Sequence, residues 1–180
     1  MSATDAPMLD RARIRELFTL LGERLQRRVL VGDVYVCDGA AMALAYDAVR
    51  ATRDIDAVIR GQGIVLQEAH ALADELGLPE WWLKEQASVY VARAGDPEAT
   101  VTFDHPGLRV TATSPRHLLA MKAMAARRRD IEDLRLLVGR LGLKSAEQVV
   151  DVCSAVFPDE ELPARAQLLL ADVFEQIDRP

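Results

Sequence analysis

The sequence predicts an α+β fold, in which a mixed sheet is flanked by helices and a helical region forms the C-terminal part. Three observations predict it. β-like and helical segments alternate in the first half of the chain, turn sequences separate further β-like runs before residue 114, and helical spacing then continues almost to the end. We therefore expect an α/β core at residues 1–113 and a helical region at 114–180 packed on this core.

The first elements are predicted to be a helix, a strand and a second helix. Asp10 can cap the first helix, in which apolar residues recur at helical spacing. β-branched and aromatic residues at 33–37 predict a strand, and Asp38-Gly39 predicts a tight turn after it. Residues 40–44 favour a helix, so this part of the chain is predicted to run strand, turn, helix.

A second strand and a further helix follow. Over 52–59, apolar and polar residues alternate with the two-residue period of a strand, and this alternation places Asp54 and Asp56 on the same face. Residues 64–76 show helical periodicity that stops at Gly77, a usual way for a helix to end.

Three short β-like runs precede the helical region, at 88–92, 100–103 and 108–111, with turn sequences between them. They predict an antiparallel meander. Ser114-Pro115 then combines an N-cap serine with a proline at the first helical position. Breaks in the pattern that follows indicate about four helices up to residue 180.

The composition is that of an ordinary globular protein. Half of the 180 residues are hydrophobic and 28% are charged, so the chain is expected to fold as one domain with a helical appendage. A formal net charge of −6 excludes a surface that binds nucleic acid everywhere. Arginines cluster at 24–28 and at 127–129, where they form either local positive patches or solvated helix ends.

The cellular compartment is predicted from the cysteines and from the lack of a signal peptide or membrane-spanning segment in the sequence. Cys37 and Cys153 have no paired spacing, so we expect neither a disulfide framework nor a structural zinc site. Residues 1–10 do not resemble a signal peptide, and no apolar run is long enough to span a bilayer. We therefore expect a cytoplasmic protein that does not contact a membrane.

The acidic pair is the feature that best indicates chemistry. Two carboxylates two residues apart on a strand lie about 7 Å apart at the backbone and can converge on one divalent cation. Mg²⁺ is usually held by one or two carboxylates together with substrate phosphates, so Asp54 and Asp56 suit a Mg²⁺–nucleotide site. Exposed acids on a strand are more often a solvent face. The preceding turn at Gly39, whose backbone N–H groups could receive a phosphate, favours the functional interpretation.

These motifs resemble those of the DNA polymerase beta nucleotidyltransferase superfamily, in which a hydrophobic residue, Gly, and Gly or Ser precede a later Asp-x-Asp. Residues 37–40 and 52–57 are similar to that pattern. The chain departs from it at Asp38, where the superfamily usually has the first glycine. Asp38 adds negative charge beside the proposed phosphate site, binds metal itself, or marks a site that has lost transfer activity.

Further segments carry a second resemblance: 39–46, 53–58, 105–110, 114–122 and 129–133. They are similar to segments of the AbiEii-like bacterial toxins and their uncharacterised relatives, and the resemblance runs from about residue 35 to residue 141. It implies a site that contains Thr52, Asp54, Lys122, and either Asp130 or Asp133. It also implies transfer of nucleotides from NTPs, in known cases to tRNA ends, and neutralisation by a partner antitoxin.

Several of these residues have a structural alternative. Lys122 reaches the triphosphate, or it is a lysine at the edge of the core. Asp130 and Asp133 are catalytic, or they cap the next helix. Asp104 supplies a third metal-binding carboxylate, or it belongs to an ordinary turn.

Two hypotheses follow. In the first, the chain transfers a nucleotidyl group from an NTP to RNA, with tRNA as one candidate, or to protein, with Mg²⁺ as cofactor. In the second, the chain is an inactive module that binds a partner protein or nucleotide. The expected roles are as follows: catalytic, Asp54, Asp56, Lys122, Asp130 and Asp133; nucleotide-binding, Asp38, Gly39, Thr52 and Arg53; metal-binding, Asp54, Asp56 and Asp104. The oligomeric state stays open.

Overall fold

The computed structural model describes residues 7–60, 62–85 and 95–177, and it confirms the predicted α+β class. The strands of this part of the chain are β1 (Leu9–Asp10), β2 (Gly32–Val36), β3 (Ala51–Thr52), β4 (Ile55–Arg60), β5 (Leu83–Lys84), β6 (Thr100–His105) and β7 (Leu108–Ala112). Its α-helices are α1 (Arg11–Arg27), α2 (Asp38–Ala41), α3 (Gln62–Leu76), α4 (Pro115–Ala125), α5 (Ile131–Leu141), α6 (Ala146–Val156) and α7 (Ala164–Ile177). The predicted strand at 88–92 lies outside the described residues.

A five-stranded mixed sheet has the strand order β5-β4-β2-β7-β6. The central strand β2 pairs antiparallel with β4 and parallel with β7. The predicted hairpin of β6 and β7 is antiparallel, with an irregularity between Val101 and Phe103. The short edge strand β5 pairs parallel with β4. A separate two-stranded pairing joins β1 to β3.

One face of the sheet forms the core, together with helices α1 and α3. In β4, Ile55, Ala57 and Ile59 are fully or almost fully buried, whereas the residues between them are half-buried. In α1, the apolar residues predicted from helical spacing are buried, and Asp10 caps the helix by accepting a hydrogen bond from the Arg13 backbone N–H. The half-buried face of the sheet is therefore the one that carries polar side chains.

The predicted elements differ from the observed ones at two places. The strand expected to begin at Thr52 begins at Ile55, because Thr52 pairs with β1 and the chain bends at Arg53 and Asp54. The residues predicted to form a tight turn, Asp38 and Gly39, are the first residues of α2, and the chain changes from α to π geometry at Met42–Tyr46. The chain therefore makes a bend directly before the strand that carries Asp56.

The C-terminal helices begin and end as the sequence indicates. The Ser114 hydroxyl caps α4 by accepting a hydrogen bond from the His117 backbone N–H. Helix α5 ends at Gly142, whose φ of +67° is the left-handed conformation that glycine adopts without strain. None of the helices in the described ranges is both long and apolar enough to cross a membrane.

The chain divides into two compact units. The first comprises residues 1–89 and 99–113 and contains the sheet, and the second comprises 90–98 and 114–180 and contains α4 to α7. This division differs from the expected boundaries at residues 90–98, before β6, because these residues belong to the helical unit. The assignment of 1–113 and 114–180 as domains stays a prediction.

Candidate functional site

The acidic pair lies on the half-buried face of the sheet. Asp56 is in β4, between buried Ile55 and buried Ala57, and Asp54 is in the bend that leads into this strand. The side chain of Asp54 is 26% exposed and that of Asp56 is 28% exposed, so both acids are within reach of solvent. Strand alternation places Asp56 on the side of β4 opposite to the core, and the bend brings the Asp54 carboxylate to the same lysine as that of Asp56.

The two carboxylates converge on the ammonium group of Lys84. Lys84 belongs to β5 and lies opposite Asp56 in the parallel pairing with β4. Its Nζ is 2.5 Å from Oδ2 of Asp54 and 3.5 Å from Oδ1 of Asp56. One cationic group thus sits between the two acids that the sequence predicts to hold a cation.

The electrostatics of this cluster are dominated by negative charge. Burial raises the pKa of Asp56, and the charges of Asp54 and Asp38 raise it further, whereas Lys84 opposes the shift. Burial acts to lower the pKa of Lys84. The hydrogen bonds and charges of Asp54 and Asp56 have the larger, opposite effect, so the pKa of Lys84 is raised. Around Asp56, the charges of two neighbouring acids thus act against that of one ammonium group.

The first residue of α2, Asp38, has an unusual backbone conformation. Its φ of +46° lies in the left-handed region, which Asp tolerates better than most residues but which glycine adopts without strain. This is the position where the resembled superfamily usually has glycine. The backbone therefore has the conformation that suits glycine, although the side chain is an acid.

Gly39 and Thr52 together support the bend that carries Asp54. A Cβ atom at Gly39 would lie 2.8 Å from Oγ1 of Thr52, so any side chain would clash there. The Thr52 hydroxyl donates a hydrogen bond of 3.0 Å to the backbone carbonyl of Asp54. These contacts give both residues a positioning role for Asp54, whatever else they bind. Arg53, in the same bend, is exposed.

Asp104 is not brought to this cluster. It lies on the edge strand β6, which is separated from β4 by β2 and β7, about 14 Å at the usual strand spacing. Across the sheet, Asp104 pairs with Arg109 of β7, and Arg109 pairs with Asp33 of β2. Asp33 in turn pairs with Arg60, which lies at the end of β4 away from Asp56. The expectation that Asp104 is a third ligand is therefore corrected: the strand order, which the sequence does not reveal, separates the acids.

Lys122, Asp130 and Asp133 form a second charged cluster, within the helical unit. Lys122 Nζ is 3.1 Å from Oδ1 of Asp130 and 2.9 Å from Oδ2 of Asp133. All three side chains are more than nine-tenths buried. Lys122 is therefore not a lysine whose ammonium group extends from the core edge into solvent. Asp130 occupies the N-cap position of α5 but makes no side-chain capping hydrogen bond, so its pairing with Lys122 replaces the capping role.

The first of the two basic clusters is engaged in ion pairs between helices. Arg24 of α1 and Arg28, directly after this helix, contact the buried Glu68 of α3 at 2.9 and 2.7 Å, respectively. Arg24 also pairs with Glu75. In the other cluster, Arg127 to Arg129 are exposed before α5. Of the two predicted positive patches, the one at 127–129 is thus the more accessible.

Lys84 is the residue of this site that the sequence did not reveal. It follows Asp56 by many residues and lies in a strand of only two residues, too short to show alternation. The available signal was a lysine directly after the apolar run Trp81-Trp82-Leu83. That signal does not indicate which strand β5 pairs with.

The donor set fits a divalent cation of the Mg²⁺ type. Hard oxygen ligands from two carboxylates suit this ion, and Asp54 and Asp56 already direct oxygens at one cationic group. The raised pKa of Asp56 reflects burial first and then neighbouring negative charge, which a bound cation would offset. Lys84 must leave or share this position for the ion to bind.

Comparisons with known proteins give one likeness. No family model matches the chain, and no curated protein matches it either. The structure is similar to the crystal structure of an antigenic nucleotidyltransferase-like protein from Paracoccidioides brasiliensis. The likeness covers 94% of this chain and 91% of that chain, with 15% sequence identity and a TM-score of 0.49. A likeness of this degree carries no information about activity.

Proposed function

We propose that this chain is a Mg²⁺-dependent nucleotidyltransferase that transfers a nucleotidyl group from an NTP to RNA, with tRNA as the candidate RNA, or to a protein. The observation that carries the proposal is the convergence of the Asp54 and Asp56 carboxylates on one cationic group. At the start of α2, Asp38 adds negative charge at Asp56, which supports binding of a divalent cation but opposes the approach of a phosphate.

Asp54 and Asp56 would hold the metal. A bound Mg²⁺ would neutralise negative charge on the NTP phosphates and on the leaving pyrophosphate. Thr52 fixes the bend of Asp54 through its hydrogen bond to the backbone carbonyl. Lys84 holds the two acids together before the ion binds, and its flexible stem and 27% exposure allow it to move aside.

The nucleotide would lie near the turn and the bend. The backbone N–H groups near Gly39 would face the phosphates, and the exposed Arg53 offers a cation for the triphosphate. Asp38 acts against nucleotide binding through its charge, so Mg²⁺ is needed to offset it. The assignment of Lys122, Asp130 and Asp133 to catalysis stays a prediction, which rests on the resemblance alone.

The biological setting follows from the AbiEii-like resemblance. We propose a toxin whose activity a partner antitoxin neutralises, in the cytoplasm, where NTPs and tRNA occur together. The exposed Arg127–Arg129 run suits a local contact with RNA phosphates, because the remaining surface of a chain with net charge −6 would repel them.

A second candidate function is favoured by Lys84. Its ammonium already neutralises part of the acidic pair, and Asp38 places a further acid where the superfamily usually has glycine. Both features suit a module that has kept the fold and binds a partner protein or nucleotide without transfer. The two functions differ in whether metal and NTP react at this site.

Label transfer tests the proposed activity. The protein is incubated with labelled NTPs, Mg²⁺ and total tRNA, or with total protein in a parallel reaction. We expect label transfer by the wild type, and none by Asp54→Ala, because one of the two metal-binding carboxylates is lost. Asp151→Asn, a neutralised exposed acid on α6, serves as the charge-matched control and should remain active. No transfer by the wild type, or equal transfer by Asp54→Ala, would remove the proposal.

A further inference from the structure

Lys84 is carried to the acidic pair by a firmly packed segment. It directly follows Trp82 and Leu83, which are both buried. The indole N–H of Trp82 donates a hydrogen bond of 2.9 Å to the Ala69 carbonyl of α3. Leu83 and Lys84 also pair with β4, where Lys84 lies opposite Asp56. The backbone of Lys84 is therefore fixed by packing and strand pairing, so its reach to the two carboxylates is a property of the fold.

The ammonium group of Lys84 lies where a metal ion held by both acids would lie. It contacts one carboxylate oxygen of Asp54 and one of Asp56, and all three side chains are about one-quarter exposed, so ions from solvent can reach the cluster. A lysine is positively charged at neutral pH, and two cations that share the same carboxylate oxygens repel each other strongly. A divalent cation therefore has to displace this ammonium group before it can bind between the two acids.

Displacement of the ammonium group costs free energy when no other ligand is bound. It breaks two contacts between opposite charges, and the displaced group gains only water as a partner. A triphosphate changes this balance, because its phosphates offer the ammonium group a new partner and the metal further oxygen ligands. The flexible stem of Lys84 allows such a change of partner while β5 stays in place. Metal and nucleotide are thus expected to bind together.

We propose that Lys84 is a built-in counter-ion that makes metal binding depend on the nucleotide. Without NTP, its ammonium group holds the Asp54 and Asp56 carboxylates and excludes a divalent cation. With NTP, the ammonium group moves to the phosphates, and the two carboxylates are released to the metal. This inference rests on the proposed nucleotidyl transfer for the identity of the ligands, and it adds the order in which they bind. The site therefore loads with metal only when the nucleotide is present.

Equilibrium dialysis of the full chain tests this dependence, because it measures only the metal that the protein retains. Mn²⁺ is the probe, since it takes the same oxygen ligands as Mg²⁺. Each protein is dialysed at pH 7.5 against Mn²⁺, with and without a mixture of the four nonhydrolysable NTPs. We expect the wild type to retain Mn²⁺ about tenfold more tightly with NTP than without it. Retention that NTP does not increase would overturn the proposal.

The variant Lys84→Met removes the ammonium charge and keeps an apolar stem. Without NTP, it should bind Mn²⁺ about tenfold more tightly than the wild type, because the metal no longer has to break two partly exposed ion pairs. Equal affinities of these two proteins without NTP, whether high or low, would overturn the proposal. If Lys84→Met does not fold, Lys84→Gln replaces it, since the glutamine amide can still donate a hydrogen bond to the carboxylates.

Two control variants make this result specific. Lys84→Arg keeps the positive charge, and Lys144→Met removes an exposed lysine of the helical unit, so both should bind Mn²⁺ without NTP as weakly as the wild type. Tight binding by either variant would contradict the role of Lys84 as a counter-ion. Label transfer separates this inference from the proposed function. Transfer by the wild type, together with equal Mn²⁺ affinities of the wild type and Lys84→Met, would remove only the role of Lys84.

Discussion

Asp56 is an acid whose surroundings disfavour its ionised form. Burial is the main cause, and the neighbouring charges of Asp54 and Asp38 add to it, while Lys84 opposes them. The folded protein therefore binds the Asp56 proton more tightly than the unfolded chain does. By linkage, this contribution to stability is fully present at low pH and is lost as the pH rises from the ordinary aspartate pKa through the raised value.

This linkage predicts a pH effect that Asp56→Asn removes. As the pH rises across that window, the free energy of unfolding of the wild type should decrease relative to that of Asp56→Asn. At pH values outside the window, the difference between the two free energies of unfolding should be constant. Urea unfolding of both proteins at a series of pH values measures the difference. Asp151→Asn should not reproduce the slope. A difference that stays constant, or that increases with pH, would contradict the electrostatic description of Asp56.

Part of the site could be predicted from single residues. The spacing of Asp54 and Asp56 predicted that the two carboxylates converge, and both contact Lys84, although Asp54 lies in the bend before β4 and not in the strand. The sequence did not reveal Lys84, since its position depends on how β5 pairs with β4. For Asp104, the sequence indicated a position near a strand end, but the strand order decides its distance from Asp56.

At the scale of elements, charged contacts join helices at two places. In the sheet-containing unit, Glu68 of α3 pairs with Arg24 of α1 and with Arg28, directly after α1. In the helical unit, Lys122 of α4 holds Asp133 of α5 and the preceding Asp130. The helices themselves were predicted from apolar periodicity and capping residues. Their charged contacts were not, because surface spacing does not reveal which acid faces which base.

The Lys122 cluster predicts a large loss of stability when the lysine is neutralised. Lys122→Met keeps the apolar stem but leaves the buried Asp130 and Asp133 without their ammonium partner. We expect a loss of roughly 3–5 kcal/mol in the free energy of unfolding, as for other buried ion pairs with one partner removed. Urea denaturation measures this loss.

Two further variants make that measurement specific. Lys144→Met, at an exposed position, should change the stability by less than about 0.5 kcal/mol. Neutralising both acids in addition, as Lys122→Met with Asp130→Asn and Asp133→Asn, should recover part of the loss, because the buried charges are then gone. A loss for Lys122→Met no larger than that for Lys144→Met would show that the cluster does not stabilise the helices.

For the whole molecule, the α+β class and the helical C-terminal part could be predicted because turns, caps and periodicity are local signals. The order of strands in the sheet could not, since β2 pairs with the distant β7 as well as with β4. The net charge of −6 limits any RNA contact to a local basic surface. The ion pairs of Arg24 and Arg28 leave the Arg127–Arg129 run as the more accessible candidate.

The central claim is that the acids around Lys84 form a site for a divalent cation and a nucleotide. Calorimetric titration of a nonhydrolysable NTP into the wild type, with and without Mg²⁺, tests it most directly, with Asp54→Asn and the control Asp151→Asn in parallel. We predict saturable heat that requires Mg²⁺, that Asp54→Asn abolishes and that Asp151→Asn retains. Heat that is absent, that is independent of Mg²⁺, or that is unchanged in Asp54→Asn would contradict the claim.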